Sequence, residues 1–251
     1  MKKIFLSLII ILLAVASYFA IGALHKNKNN ISSVLPVIEK EVISESTDNY
    51  ELDISYPLIS NISNKKIEDD LNGIFLNTVI EASDSFKKDV SDNSIKIENV
   101  KSEYTYDYEI VSSSDQFISI KFVEFYYIAG MAHPQTIYHG FNYDILNGKE
   151  ISISDFFNSG SDFLSKLASI SKAEIKNQLE PQGYYFEDMA DPGAAPTMDN
   201  YSEFVFDKDG ITIIFNQNMV AAYVVGPIFI KISYSDLSDV NKDSELLKRI
   251  F

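Results

Sequence analysis

From Tyr104 onward the chain alternates: Tyr104, Tyr106, Tyr108 and Ile110 are interleaved with Thr105, Asp107, Glu109 and Val111, and Phe117 to Ile128 then continues in aromatic and β-branched residues. A period of two places successive side chains on opposite faces of a strand, so this stretch is stable only as sheet with its apolar face covered. Ser112, Ser113, Ser114 and Asp115 between the runs are turn formers, which predicts a hairpin. The cover is predicted just upstream. Ile67, Leu71, Ile74 with Phe75, Thr78 with Val79, Ala82 and Phe86 recur at helical intervals behind Asn64 as a cap, with Glu68, Asp69 and Asp70 in the first turn. That is the pattern of a capped helix lying on a sheet.

Further elements follow from the same periods. Leu52, Ile54 and Tyr56 predict a strand, as does Thr136 to Ile145, and Asn147-Gly148 predicts a tight turn into a strand over Glu150 to Ile153. Leu164, Leu167, Ala168, Ile175 and Leu179 predict a second helix from Ser161 to Leu179. Glu180 to Asn200, with three prolines and two glycines, reads as a long loop, functional or mobile. Strands return at Glu203 to Phe206, Ile211 to Phe215 and Ile228 to Ile232. The expected class is α+β, a mainly antiparallel sheet packed by two long helices, preceded by an N-terminal transmembrane or signal helix.

That leading helix is read from Ile4 to Leu24, 21 residues without a charge, flanked by Lys2, Lys3, His25, Lys26 and Lys28. As a helix it spans roughly 30 Å, the thickness of the hydrocarbon core of a bilayer. Ala14-Val15-Ala16 resembles a signal-cleavage site, but the run continues past it. Its length favours an uncleaved anchor; cleavage would release the body as a secreted protein. The lysines and free amine ahead of the run favour a cytoplasmic amino terminus and an extracytoplasmic body. The expected organisation is a leader over 1–28, a stem over 29–49, a body over 50–240 and a tail over 241–251.

Composition narrows the chemistry. The 251 residues are 46% hydrophobic and 23% charged, with no cysteine, three histidines and a net charge of −15. The absence of cysteine removes disulfide scaffolds and thiol chemistry, and the negative charge argues against nucleic acid as a partner. His133 and His139 do not share a helical face as a zinc pair would, and no serine sits in a nucleophile elbow. Asp207-Lys208-Asp209-Gly210 places its glycine too early for a calcium loop. A Glu124 and Asp144 pair is expected by chance among 36 acids. Three N-x-S/T matches, at Asn30, Asn61 and Asn200, carry weight only in a eukaryotic secretory pathway. No metal or other cofactor is expected, and no catalytic residue is assigned.

Tyr126 to Pro134, Phe141 to Ile151, Asp155 to Phe157, Phe204 to Phe215 and Val220 to Pro227 together resemble the bacterial extracytoplasmic DUF3298 domain, placed over 96–240. Residues 50–95 resemble the DUF4163 module that commonly precedes it. The resemblance implies a binding or sensing role, since the pair occurs in the outer part of a lysozyme-sensing anti-sigma factor and in the non-catalytic part of a peptidoglycan deacetylase. Three residues precede the apolar run and the chain ends at Phe251, so neither a sigma-binding region nor a deacetylase domain is expected. Met131 stands where the turn of the family is often glycine.

The expected function is recognition of a cationic protein such as lysozyme, or of peptidoglycan, by a domain tethered to the bilayer through residues 4–24. The expected contacts are Tyr184, Tyr185, Glu187, Asp188, Asp191 and Asp199 of the long loop, with His133, Tyr126 and Tyr138. The alternatives are an envelope glycan hydrolase or deacetylase-like enzyme using His133 and a carboxylate, and a passive envelope spacer.

Overall fold

The computed structural model describes residues 35–93, 95, 97–241 and 244–250. The expected leader lies outside the described residues, among which no helix is long and apolar enough to cross a membrane.

Strands β1 (Val37–Ser46) and β2 (Tyr50–Ser60) form an antiparallel hairpin, and helix α1 (Lys65–Asn93) follows. Strands β3 (Ser102–Ser113), β4 (Phe117–Tyr127), β5 (Gln135–Asp144) and the two-residue β6 (Lys149–Glu150) complete a six-stranded sheet in the order of the chain. Helix α2 (Phe163–Leu179) and short helix α3 (Glu187–Gly193) lead to a second, three-stranded sheet of β7 (Phe204–Phe206), β8 (Gly210–Phe215) and β9 (Ile228–Ser233). Short helices α4 (Ser238–Asn241) and α5 (Leu247–Ile250) follow. The mixed α+β class agrees with expectation, but there are two sheets, and the β2–β3 pair is parallel because α1 returns the chain to its starting end.

One core lies between α1 and the first sheet. Leu71, Phe75, Val79, Phe86 and Val90 of α1 press on Leu52, Ile54, Tyr104, Tyr106, Ile118, Ile120 and Phe122. Each such large side chain contributes roughly 1.5–3 kcal/mol by leaving water. A second core joins α2 to the second sheet through Phe156, Leu167, Ile175, Phe204, Phe206, Ile213, Phe215 and Ile230. Strand β4 serves both, with Ile118 and Ile120 in the first and Phe117 in the second, as alternation requires.

Several sequence readings are revised. The stem is strand from Val37 to Ser46, since Ile38 and Ile43 pack on the first core; its charged Glu39, Lys40 and Glu41 suit a sheet edge. The strand over Glu150 to Ile153 stops at Glu150, and Ile153–Phe156 turns as a 3-10 helix. The long loop contains α3, because Ala190, Ala194 and Tyr201 are buried and the Tyr201 hydroxyl donates to Ala194 O at 3.0 Å. In the turn before β5 it is Gly130, at φ +100, that takes the left-handed conformation, so Met131 carries no strain. The tail is fastened. Arg249 makes a bidentate bond to Asp144, at 2.6 and 2.7 Å, while its guanidinium covers the Phe117 ring.

The sheets meet where β5 crosses β7. A Cβ on Gly140 would lie 1.9 Å from Phe204 O, so only glycine permits the crossing. Around it, Asn142 Nδ2 donates to Phe204 O at 2.7 Å, and Ser119 Oγ links Phe206 N to Asn142. Further along β5, Asn216 accepts from Tyr138 N and donates to Tyr138 O, and Gln217 accepts from Thr136 N. These side chains stand in for a strand that β5 lacks on that edge.

Two outcomes test this account. Gly140→Ala forces backbone against backbone and is expected to destabilise by about 3 kcal/mol or more in urea unfolding; a loss below about 1 kcal/mol contradicts the close crossing. Arg249→Ala leaves the Asp144 carboxylate, 2% exposed, with Asn147 alone, an expected loss of about 2–3 kcal/mol in the same measurement.

Candidate functional site

On β4, Phe122, Glu124 and Tyr126 share the face turned to α1, being two residues apart. Register sets Tyr106 of β3 opposite Glu124, and His139 of β5 opposite Phe122. His139 therefore reaches Glu124 diagonally, its Nε2 3.4 Å from Oε2. The third member comes from the other sheet. Glu203 precedes β7, and because Gly140 admits that strand, the Glu203 side chain lies along β5, with Oε2 accepting from Gly140 N at 2.8 Å and Oε1 3.6 Å from His139 Nδ1. Tyr104 completes the group by donating its hydroxyl to Glu124 Oε1 at 3.0 Å.

Glu124, His139 and Glu203 lie in the wall of a cleft of about 320 Å³ between α1 and the sheet. Tyr56, Tyr106, Phe122 and Phe141 line it with rings, and Ile74, Thr78 and Ala82 of α1 form its opposite side. Its walls are apolar with one convergent polar group, which is the composition of a small-ligand site.

Electrostatics fix the protonation of that group. Hydrogen bonding to Glu124 first, and then to Glu203, pushes His139 up to about 9 against the opposing effect of burial. Its ring is then an imidazolium at neutral pH, with both N–H groups facing a carboxylate. In return His139, with help from Tyr104, holds Glu124 below the usual carboxylate range although burial opposes this. Burial, followed by the charge of Glu124, raises the Tyr104 and Tyr106 hydroxyls, so both stay protonated. Among the described residues no group of three or more His, Asp or Glu is placed to hold a metal ion. The arrangement can accept hydrogen bonds from a ligand and stack against its flat faces.

The residues expected from sequence are dispersed. Tyr126 lies beside the cleft, next to Glu124 on the same face. Tyr138 points away from it, its backbone held by Asn216 and its ring edge-on to Phe229 at 5.1 Å. His133 packs its ring 5.2 Å from that of Tyr223, and no ion pair among the described residues involves it. Asp191 pairs with Lys172 at 2.8 Å, and Lys176 lies over the Tyr185 ring. Tyr184, Glu187, Asp188 and Asp199 are exposed, and none of the six loop residues lines the cleft. Glu124 and Asp144 do not form a pair: Asp144 lies opposite Phe117, where Arg249 and Asn147 outweigh its burial and keep it ionised. Sequence reading missed His139 and Glu203 as partners, since 63 residues separate Gly140 from Glu203 and only the sheet crossing joins them.

Comparison with known proteins agrees with the resemblance seen in the sequence. Residues 154–235 match the family described as a protein of unknown function, DUF3298, and residues 43–136 match the family described as Deacetylase PdaC. Residues 50–95, expected to resemble DUF4163, lie within the second match, which is described as Deacetylase PdaC and not as DUF4163. The peptidoglycan-N-acetylmuramic acid deacetylase PdaC of Bacillus subtilis (strain 168) is 33% identical over 163 residues, covering 65% of this chain and 34% of that protein. The chain thus spans about a third of the length of this relative. A crystal structure of a DUF3298 family member from Bacteroides fragilis superposes with a TM-score of 0.66 at 19% identity, covering 87% of this chain and 98% of that one. Another, from Pseudomonas aeruginosa, gives 0.58 at 13% identity, covering 84% and 95%. At these identities the two structures establish likeness of fold.

The raised His139 sets a pH dependence. A group with its pKa raised on folding stabilises fully below its unfolded value, here 6.5, and loses that contribution as pH rises through its folded value, here about 9. The difference in Tm between wild type and His139→Gln is expected to be widest near about pH 6 and to shrink toward about pH 10. A difference that does not vary over that range contradicts the imidazolium.

Proposed function

We propose that this chain is an extracytoplasmic binding domain of a bacterial envelope, and that its cleft holds a cell-wall glycan without altering it. The observation that carries this reading is the Glu124–His139–Glu203 group set among rings in the cleft. Carboxylates accept hydrogen bonds from sugar hydroxyls, while aromatic faces cover the C–H faces of the ring. The match to a peptidoglycan deacetylase over residues 43–136 and beyond supports an envelope glycan as the ligand class. Residues 4–24, uncharged throughout, support attachment to the membrane, with the body outside.

Binding fits the site better than catalysis. General acid–base work needs a group that changes protonation near the working pH. His139 is held protonated to about 9 and Glu124 is held ionised, so the pair that would have to exchange a proton is locked in its charged state. The alternative enzyme built on His133 has less support, since that ring packs on Tyr223 and no ion pair among the described residues involves it.

The net charge of −15 favours a second reading, in which a cationic protein such as lysozyme docks on the acidic surface.

Retention of the protein on purified peptidoglycan sacculi tests the first reading. Wild type is expected to be retained, and the double variant Glu124→Gln, Glu203→Gln to bind at least about tenfold more weakly, since two charged acceptors are lost. Failure of wild type to bind sacculi overturns the glycan reading. Retention on immobilised lysozyme that salt abolishes and the double variant does not affect selects the second reading.

A further inference from the structure

A second hollow of about 280 Å³ lies on the same side of the sheet, lined by Ala82, Ser85, Phe86, Asp89, Tyr104, Glu124, Tyr126 and Ile128. It shares Ala82 and Glu124 with the first. The two hollows therefore adjoin at Ala82 and Glu124, and taken together they make a groove over Glu124. Its floor is the β4 row Phe122, Glu124, Tyr126, which extends about 13 Å at the strand rise of about 3.3 Å per residue. Its far wall is a stripe of α1 that runs from Ile74 through Thr78, Ala82, Ser85 and Asp89, spaced at three and four residues, with Phe75, Val79 and Phe86 beside it. Over Glu124 the stripe carries only the small or short Thr78, Ala82, Ser85 and Asp89, and the groove stays open there because they do not fill it.

The geometry points to a linear sugar chain of at least two linked rings as the ligand, with one ring on each side of Glu124. This inference rests on the glycan reading of the cleft. The first ring sits among Phe122, Phe141, His139 and Glu203; the second is held by Tyr126, Ser85 and Asp89, with Glu124 accepting from both. A single ring occupies only half of this floor. An extended peptide is disfavoured, because β3 and β4 are paired on both sides and present no free backbone edge to its main chain. A phosphate-bearing chain is disfavoured by the carboxylates of Glu124, Glu203 and Asp89.

Calorimetry with N-acetylglucosamine, its β-1,4-linked dimer and its tetramer, titrated into the full chain in detergent, tests the inference. The dimer is expected to bind at least about tenfold more tightly than the monosaccharide, because its second ring binds as an intramolecular event. Ser85→Trp, at an exposed helix position, fills the second hollow and is expected to bring the dimer down to the affinity of the monosaccharide while leaving the monosaccharide unchanged. Asp89→Asn, nearly isosteric and equally exposed, is expected to weaken the dimer alone, by about threefold or more. Equal affinity of wild type for monosaccharide and dimer, or a Ser85→Trp effect equal on both, overturns the two-ring groove while leaving the glycan reading standing. Binding of none of the three sugars overturns the two-ring groove, and retention on sacculi then decides the glycan reading separately.

Discussion

The outer edge of β5 is the constraint on which the rest of the molecule depends. Over Thr136 to Gly140 this edge has no neighbouring strand, yet its N–H groups are covered by the second sheet. Each such group, if buried without an acceptor, would cost about 1–3 kcal/mol. Gln217, Asn216 and Glu203 supply the acceptors at Thr136, Tyr138 and Gly140 in turn. The spacing of two residues along β5 is that of a strand ladder, performed by side chains. None of it is possible unless β7 comes close, and it comes close because position 140 has no Cβ. The same residue that closes the fold also builds the site, since Glu203 caps Gly140 with one oxygen and faces His139 with the other.

Local periodicity and long-range contact were unequally legible in the sequence. Apolar spacing located α1, α2 and the strands from β2 onward, because each of these buries one face and alternates accordingly. Strand β1 escaped because an edge strand exposes Val37 and Val42 and carries charge inward of its ends, a pattern shared with a solvated linker. Helix α3 escaped because Pro192 and Gly193 punctuate seven residues, and only the burial of Ala190 and Ala194 in the completed core holds the segment together. In the site, Glu124 is visible in the sequence as one of 36 acids, and the pairing with Asp144 that the sequence suggests is no more than chance. Those two lie at opposite ends of β4 and β5 in the final register. His139 is visible in the sequence as a residue and not as a partner, since Glu124 reaches it only through the β4–β5 register and Glu203 arrives from beside the second sheet.

The acidity of the chain and the acidity of the site are separate matters. Many carboxylates of the surface have a lysine beside them, as Asp191 has Lys172 and Asp207 has Lys231, and exposed pairs of this kind contribute little to stability. The cleft gathers two carboxylates around one imidazole, where partial burial strengthens each interaction relative to water. Composition reports the first kind of charge well. It says nothing of the second, which depends on three residues in register.

On the proposed reading, helix α1 serves stability and recognition at once. The stripe Leu71, Phe75, Val79, Phe86 and Val90 carries large side chains into the core. The neighbouring stripe Thr78, Ala82, Ser85 and Asp89, about one residue or 100° further round the helix, faces the same sheet with short ones. Larger apolar residues there would gain roughly 0.8 kcal/mol for each buried CH₂, so a sequence under selection for stability alone would fill the groove. Instead the helix leaves it open over Glu124, His139 and the rings of Tyr106 and Phe122. Stability forgone beside a convergent polar group is the observation on which the proposed ligand site rests.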